Sequence, residues 1–216
     1  MKKLRLTKID LLTAGFCLAA IIPGLCLWNE LPDKIARHFD MNGDPDGYSS
    51  KLFVIVMLPL IMTAISLFTS ILINSGRSKA NPEKVKNLVK LIFPATLYVA
   101  QACILLYAMD KLKNFMAVEL TFFSLVIILV GNYMPKLKPN GVIGLRTSHT
   151  LNNEECWRAS HRFAGKVWVI GGIICLPIAL MEKLIPFFII FTLLIIIPIV
   201  YSEVVYRKIK QAEAGE

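Results

Sequence analysis

The chain has 216 residues, of which 56% are hydrophobic and 18% are charged, and its mean hydropathy is +0.61. A soluble domain of this length usually carries a charge on about a quarter of its residues. The composition therefore excludes an ordinary soluble domain and indicates a protein that is embedded in a membrane.

Four charge-free apolar segments are each long enough for a helix to cross about 30 Å of hydrocarbon, and two shorter ones become long enough when Phe115–Glu119 and Phe163–Lys166 serve as interfacial ends. Because a backbone within lipid has to satisfy its own hydrogen bonds, helices are the expected structure of these segments. The predicted fold class is all-α, a polytopic protein with a single membrane domain over residues 1–216. We predict six transmembrane helices, at residues 9–28, 52–74, 88–109, 115–134, 163–181 and 185–206.

The distribution of Lys and Arg predicts how this domain is oriented. With the N-terminus inside, sixteen of these residues fall in cytoplasmic segments and six in outer segments. This bias follows the positive-inside rule, so we expect both termini to be cytoplasmic. The formal net charge of +9 then reflects membrane topology and not direct nucleic-acid binding. The first span lacks an A-x-A cleavage site and is predicted to remain as an uncleaved anchor.

The polar residues within the predicted spans give little support for an ion-coupled carrier. Such carriers usually hold an ionisable group in the bundle interior, whereas the ionisable residues here lie near the ends of spans: Asp10, Lys90, Glu119, Lys166 and Glu203. Gln101 is the long polar side chain nearest the centre of a span, so it is the candidate for a polar site within the bundle. Prolines inside five spans either shape a cavity or are simply tolerated in membrane helices.

The predicted outer loop, residues 29–51, contains the acidic and glycine-rich stretch HFDMNGDPDGYSSK. An EF-hand calcium loop would need Gly at its sixth position and Glu at its twelfth, where this chain has Pro45 and Lys51. Turns fit better, because Asn42–Gly43 suits a turn with positive φ and Asp44–Gly47 suits a type I turn. We predict two turns, preceded by a short extended or partly helical piece.

The predicted cytoplasmic loop, residues 135–162, begins irregularly and ends in a helix. Asn152, followed three residues later by Glu155, is typical of a helix N-cap, and this helix is expected to run into the fifth span. Asn81 is expected to cap the third span, with Pro82 at its first helical position. The helix that follows Asn152 has one polar face: Glu154, Arg158, Arg162 and Lys166. This face is either an interfacial anchor or a docking surface for a cytoplasmic partner or lipid headgroups.

The sequence contains no recognisable catalytic or metal-binding motif. His149, Cys156 and His161 share the cytoplasmic loop, but their spacing matches no zinc finger, and Glu155 would have to complete the site. The HExxH and GxSxG patterns are absent, as are a CxxC pair and two cysteines in one outer loop. We therefore expect no enzyme activity, no cofactor, no metal and no disulfide.

The outer loop resembles a signature of the SdpI-type family of bacterial membrane proteins, whose founder is an immunity protein against a secreted killing toxin. That signature usually reads L-P-x-x-I-x-x-H-F/W-x-x-x-G-x-P-D-x-x-x-x-K. The residues of this chain that match it are Leu31, Pro32, Ile35, His38, Phe39, Gly43, Pro45, Asp46 and Lys51.

The cytoplasmic loop resembles the second signature of the same family. The family often has Pro-Trp at the positions that Ser148 and His149 occupy here. The matching residues are Gly131, Asn132, Pro135, Lys136, Asn140, Gly144, Arg146, Thr147, Thr150, Leu151, Trp157, His161, Arg162 and Gly165. With six spans and two signatures on opposite faces in the family's order, the resemblance covers essentially the whole chain.

The resemblance implies a plasma-membrane protein that protects a bacterial cell from a membrane-active peptide toxin. In the best-understood member it also implies signalling, by sequestering a transcriptional repressor at the membrane. The outer signature would then hold a ligand or shape the loop, and the cytoplasmic signature would dock the repressor. A small-molecule or lipid transporter, with Gln101 in its site, and a non-catalytic subunit of a membrane complex stay open as alternatives.

Overall fold

The computed structural model of the chain describes residues 6–75, 78 and 80–215. Five basic residues that enter the predicted charge bias lie outside the described residues: Lys2, Lys3, Arg5, Arg77 and Lys79. Within the described part, six helical segments are long and apolar enough to cross a membrane: Lys8–Cys26, Phe53–Asn74, Glu83–Ala108, Phe115–Lys136, Glu154–Leu180 and Leu184–Ala214. The predicted all-α, polytopic membrane fold is confirmed.

The helices follow one another along the chain, with two longer connections after Cys26 and after Lys136. The first span consists of α1 (Lys8–Ala19) and α2 (Ile21–Cys26), and the second begins as a π-helix, Phe53–Met57, before α3 (Leu58–Asn74). The remaining helices are α4 (Glu83–Ala108), α5 (Phe115–Tyr133) with a 3₁₀ turn at Met134–Lys136, the short α6 (Ser148–Asn152), α7 (Glu154–Leu180) and α8 (Leu184–Ala214).

The bundle has two packed groups of helices. One group contains α1, α3 and α4, the other contains α5, α7 and α8, and contacts between α4 and α5 join them. Because six spans alternate in direction, one end of the bundle holds residues 75, 78 and 80–82, residues 135–153 and both described chain ends, and we call it the termini end. The connection between the first two spans lies at the opposite end, which we call the hairpin end.

Small residues bring α5 and α7 into close contact. A Cβ atom added at Gly165 would lie 2.8 Å from the Gly131 carbonyl oxygen, and one added at Gly172 would lie 2.6 Å from Ile128. Membrane helices gain their contact from such close approach, because lipid supplies no hydrophobic force between them. These glycines therefore define the tightest helix pair of the bundle.

A proline in α8 is compensated by a neighbouring helix. Pro198 has no N–H group to donate to the Leu194 carbonyl oxygen four residues earlier. The Trp168 indole Nε1 of α7 donates to that oxygen instead, over 2.7 Å. The freed backbone carbonyl thus becomes a contact between α7 and α8.

The connection at the hairpin end is a β-hairpin. Strands β1 (Lys34–Phe39) and β2 (Pro45–Ser50) pair antiparallel, with an irregularity between Ala36 and His38. The turn at Asn42–Gly43 is confirmed, and Gly43 has φ +89°. The second predicted turn, Asp44–Gly47, is wrong because these residues enter β2, where Pro45 is tolerated as the first strand residue.

One side chain closes the hairpin turn. Asp40 Oδ1 accepts hydrogen bonds from the backbone N–H groups of Asn42, over 2.8 Å, and Asp44, over 2.9 Å. These backbone donors, chiefly Asp44, hold the pKa of the Asp40 carboxyl below its ordinary value. Since Asp40 fixes both amides, the chain reverses once and a second turn is not needed.

Two predicted helix caps differ in the structure. Asn153, and not Asn152, caps α7, since its side chain accepts from the Cys156 backbone N–H over 2.8 Å. Pro82 takes the cap position of α4, and Asn81 Oδ1 accepts from the Lys138 backbone N–H over 2.9 Å. Asn81 thereby ties two connections at the termini end, which local sequence patterns do not reveal.

Candidate functional site

The hairpin is fixed to the bundle by one face. The Phe39 ring lies 4.0 Å from the Phe115 ring and 5.2 Å from the Tyr107 ring, measured between centroids. Leu31 and Ile35 are buried in an apolar cluster that includes residues of the π-helix and α4. Phe39, predicted as a ligand or structural residue, therefore holds the hairpin against the third and fourth spans, and Leu31 and Ile35 hold it against the second and third.

The other face of the hairpin is exposed. His38 Nδ1 and Asp46 Oδ1 lie 2.5 Å apart across the strands, and their side chains are 71% and 48% exposed. A Cβ atom at Gly47 would lie 2.8 Å from the His38 Cβ, so the missing side chain makes room for this pair. Two large apolar side chains, Met41 at the turn and Tyr48 in β2, are more than half exposed.

Lys51 joins the two ends of the hairpin segment. Its Nζ atom lies 3.0 Å from Asp33 Oδ1, donates to the Trp28 carbonyl oxygen over 3.4 Å and lies 5.2 Å from the centroid of the Trp28 ring. Pro32 is exposed at the beginning of the same segment. Lys51 therefore contacts the end of the first span and holds the base of the hairpin closed.

At the termini end, the connection before α7 folds over two stacked rings. Trp157 and His161 are buried, with centroids 4.0 Å apart and ring planes 18° apart. Trp157 Nε1 donates to the Leu137 carbonyl oxygen over 2.9 Å, and His161 Nε2 accepts from the Leu145 backbone N–H over 3.0 Å. A proton on Nδ1 then lets His161 donate to the Trp157 carbonyl oxygen over 2.9 Å, so the ring is neutral.

Two signature residues shape this connection, which we call the folded loop (residues 137–153). Gly144 has φ +111°, and a Cβ atom there would lie 2.4 Å from His161 Nε2. The Asn140 side chain accepts from the backbone N–H groups of Val142 and Ile143 and donates to the carbonyl oxygen of Ile143. Glycine and asparagine are therefore required by the loop's conformation.

The folded loop is also attached to α8. Thr147 caps α6 through the Thr150 backbone N–H, and its hydroxyl lies 3.3 Å from the Ser202 hydroxyl. The Cys156 thiol donates to the Ser202 carbonyl oxygen over 3.4 Å. His149 pairs with Glu203 on the same helix. Of the three side chains weighed as zinc ligands, Cys156 and His149 thus contact neighbouring residues of α8, whereas His161 contacts Leu145 of the folded loop.

The structure separates the predicted cytoplasmic site into two kinds of residue. Asn140, Gly144, Thr147, Trp157 and His161 build the folded loop, as described above. The remaining members lie elsewhere: Arg146 and Arg162 are exposed, and Gly165 lies against α5. The first kind sets the shape of the termini end, and the two arginines face its surroundings.

Gln101 is buried, and its amide Nε2 donates to the Val54 carbonyl oxygen over 3.3 Å. Val54 lies in the π-helix, whose altered hydrogen bonding leaves carbonyl groups available to neighbouring helices. Gln101 Oε1 has no hydrogen-bond partner among the described residues. The contact that is present is one between helices, of the kind that polar residues make in membranes.

Sequence reasoning did not pair Asp10 with Lys90. Lys90 Nζ lies 2.7 Å from Asp10 Oδ1, and both side chains are almost fully buried. Asn74 bridges them, since its Nδ2 donates to Asp10 over 2.7 Å and its Oδ1 accepts from Lys90 over 2.9 Å. The pairing could have been inferred from the sequence, because Asp10 and Lys90 carry opposite charges and were predicted at the same membrane face on two spans.

Known proteins are similar to this chain at both the hairpin and the folded loop. Residues 136–202 match the model of the SdpI/YfhL protein family, and residues 15–63 match a domain of unknown function (DUF1648). The chain is 28% identical over 160 residues to the immunity protein SdpI of Bacillus subtilis (strain 168), which covers 73% of this chain and 74% of that protein. No solved structure matches the chain. These matches contain both the hairpin and the folded loop, so the chain is similar to the SdpI/YfhL family at both.

Proposed function

We propose that this chain is a non-enzymatic immunity protein of a bacterial plasma membrane, which protects its cell from a membrane-active peptide toxin. The observation that carries the proposal is the similarity to an immunity protein over 73% of the chain. The hairpin supplies a surface on which a toxin could bind, because one face is fixed to three spans and the other presents exposed side chains.

The exposed face suits a peptide that is both apolar and polar. Tyr48 offers apolar surface in the strand that carries Asp46 of the His38–Asp46 pair, and Met41 adds apolar surface at the turn, where it lines a groove with α8. A hairpin whose position is already fixed loses little conformational freedom when a peptide binds. With both termini cytoplasmic, as the charge bias predicts, this face would meet a toxin outside the cell.

The termini end supports a second part of the proposal, which is docking of a transcriptional repressor. The folded loop, α6 and α8 form a connected surface through Thr147, His149 and Ser202. A surface that buried contacts already hold in one conformation loses little conformational entropy when a protein partner binds. Repressor binding rests on family resemblance together with this geometry, and co-purification of a repressor with the full chain would test it.

Survival of a sensitive strain tests the immunity function. Cells with and without the chain are exposed to a panel of purified membrane-active bacterial peptides, and viable counts are compared at matched expression. We expect at least one peptide against which expression raises survival about tenfold or more. Equal survival with and without the chain across the panel would contradict the proposal. The transporter and complex-subunit alternatives stay untested predictions.

A further inference from the structure

A cleft opens on the surface of α7 at the termini end. Its volume is about 510 Å³, and it lies where the end of α5, the first half of α7 and α8 meet. The lining residues are Pro135, Ala159, Arg162, Phe163, Lys166 and Tyr201. The Phe163 and Tyr201 rings stack with centroids 3.9 Å apart, which gives the cleft a rigid aromatic wall.

Two basic side chains in this cleft have no counter-charge within the part of the chain that the structure describes. The charged groups of Arg162 and Lys166 form no ion pair and no hydrogen bond with any residue that the structure describes. Arg158, one turn earlier on the same face of α7, has an acidic neighbour, because its guanidinium lies 3.6 Å from Glu154. The cleft therefore concentrates positive charge that no described residue neutralises.

The length of α7 places these two residues at the membrane boundary. The helix has 27 residues, which is about 40 Å at 1.5 Å per residue, whereas hydrocarbon is about 30 Å thick. If Leu180 lies at the boundary of the hairpin end, hydrocarbon begins about seven residues after Glu154. Arg162 then lies at the edge of the hydrocarbon, from which its side chain reaches the lipid phosphates, and Lys166 reaches them from one turn further in.

A second groove continues from the cleft toward the middle of the membrane. It shares Pro135 and Lys166 with the cleft and has a volume of about 320 Å³. Its deeper part follows α7 along Gly165, Val169 and Ile170, which are small or apolar. A charged cleft at the boundary that leads into an apolar groove has the polarity of a phospholipid, with a headgroup and an acyl chain.

We propose that this cleft binds the phosphate headgroup of an anionic phospholipid, with Arg162 and Lys166 as its counter-charges and an acyl chain in the adjoining groove. A lipid suits the site better than a soluble partner, because this placement puts the groove along Gly165, Val169 and Ile170 within hydrocarbon. The bound lipid would contact α5, α7 and α8 together, directly beside the folded loop.

Native mass spectrometry of the purified full chain tests the proposal. The protein is incubated with equal amounts of phosphatidylglycerol and phosphatidylcholine, and the retained lipid is counted. We expect the protein to retain about tenfold more phosphatidylglycerol. The double variant Arg162→Gln/Lys166→Gln should lose this preference, since each basic residue contributes a factor on the order of five.

Three further measurements separate a lipid site from general charge effects. Arg158→Gln removes a charge from the same helix face and should keep the preference, as should the charge-conserving Arg162→Lys/Lys166→Arg. Inorganic phosphate alone should not raise the melting temperature of the detergent-solubilised protein, whereas phosphatidylglycerol should. Equal retention of both lipids, or an unchanged preference in a folded double Gln variant, would overturn the proposal.

Discussion

At the scale of single residues, the family signature at the termini end is explained by the packing around His161. Its Nε2 has to accept from the Leu145 N–H, which leaves no room for a Cβ atom at Gly144. Sequence comparison identified these residues but not their contacts, because a φ of +111° and a ring stack have no local pattern of their own. Gly144 and His161 are thus structural partners within a predicted docking site.

Gly144→Ala should lower the free energy of unfolding by about 2–4 kcal/mol, because a non-glycine residue is strained at this φ and its Cβ would displace His161. Gly15→Ala is the matched control, since a Cβ there would meet no atom within 4 Å. Unfolding of the detergent-solubilised variants measures both effects. If the two variants are equally stable, His161 does not hold the loop as described.

At the scale of elements, hydropathy predicts the spans because each is a long apolar run. It predicts neither the hairpin nor which helices pack against each other. Strand β2 contains Pro45, Asp46 and Gly47, which disfavour strands. It forms because β1 is fixed through Ile35 and Phe39. Contacts between residues far apart in the chain therefore override local preference.

The buried pair of Asp10 and Lys90 fixes α1 against α4, with Asn74 of α3 between them. Removing one partner leaves the other charge buried and unpaired, which costs far more than removing both. Lys90→Met should lower the free energy of unfolding by about 3–5 kcal/mol. The double variant Asp10→Asn/Lys90→Met should lose about 1–2 kcal/mol. A double variant that is no more stable than Lys90→Met would show that the pair does not interact.

At the scale of the whole molecule, the two family signatures lie at opposite ends of one bundle. The proposed function requires the hairpin end to face outward. A membrane-impermeant maleimide should label Met41→Cys in intact cells, while Gly215→Cys should react only after the cells are permeabilised. Both reporter cysteines are introduced into a variant in which the exposed Cys26 is replaced by serine. Labelling of Gly215→Cys in intact cells would reverse the orientation.

The central claim is that the exposed face of the hairpin confers immunity, and survival of toxin-challenged cells tests it most directly. Met41→Ser/Tyr48→Ser removes the exposed apolar surface without touching Phe39, Ile35 or Leu31, which hold the hairpin in place. Leu6→Ser, at an apolar residue of the termini end that is nearly as exposed, is the matched control. With a peptide against which the chain protects, we predict that the hairpin variant loses most of the survival gain and that Leu6→Ser keeps it. Full protection by a folded, normally expressed hairpin variant would contradict the account.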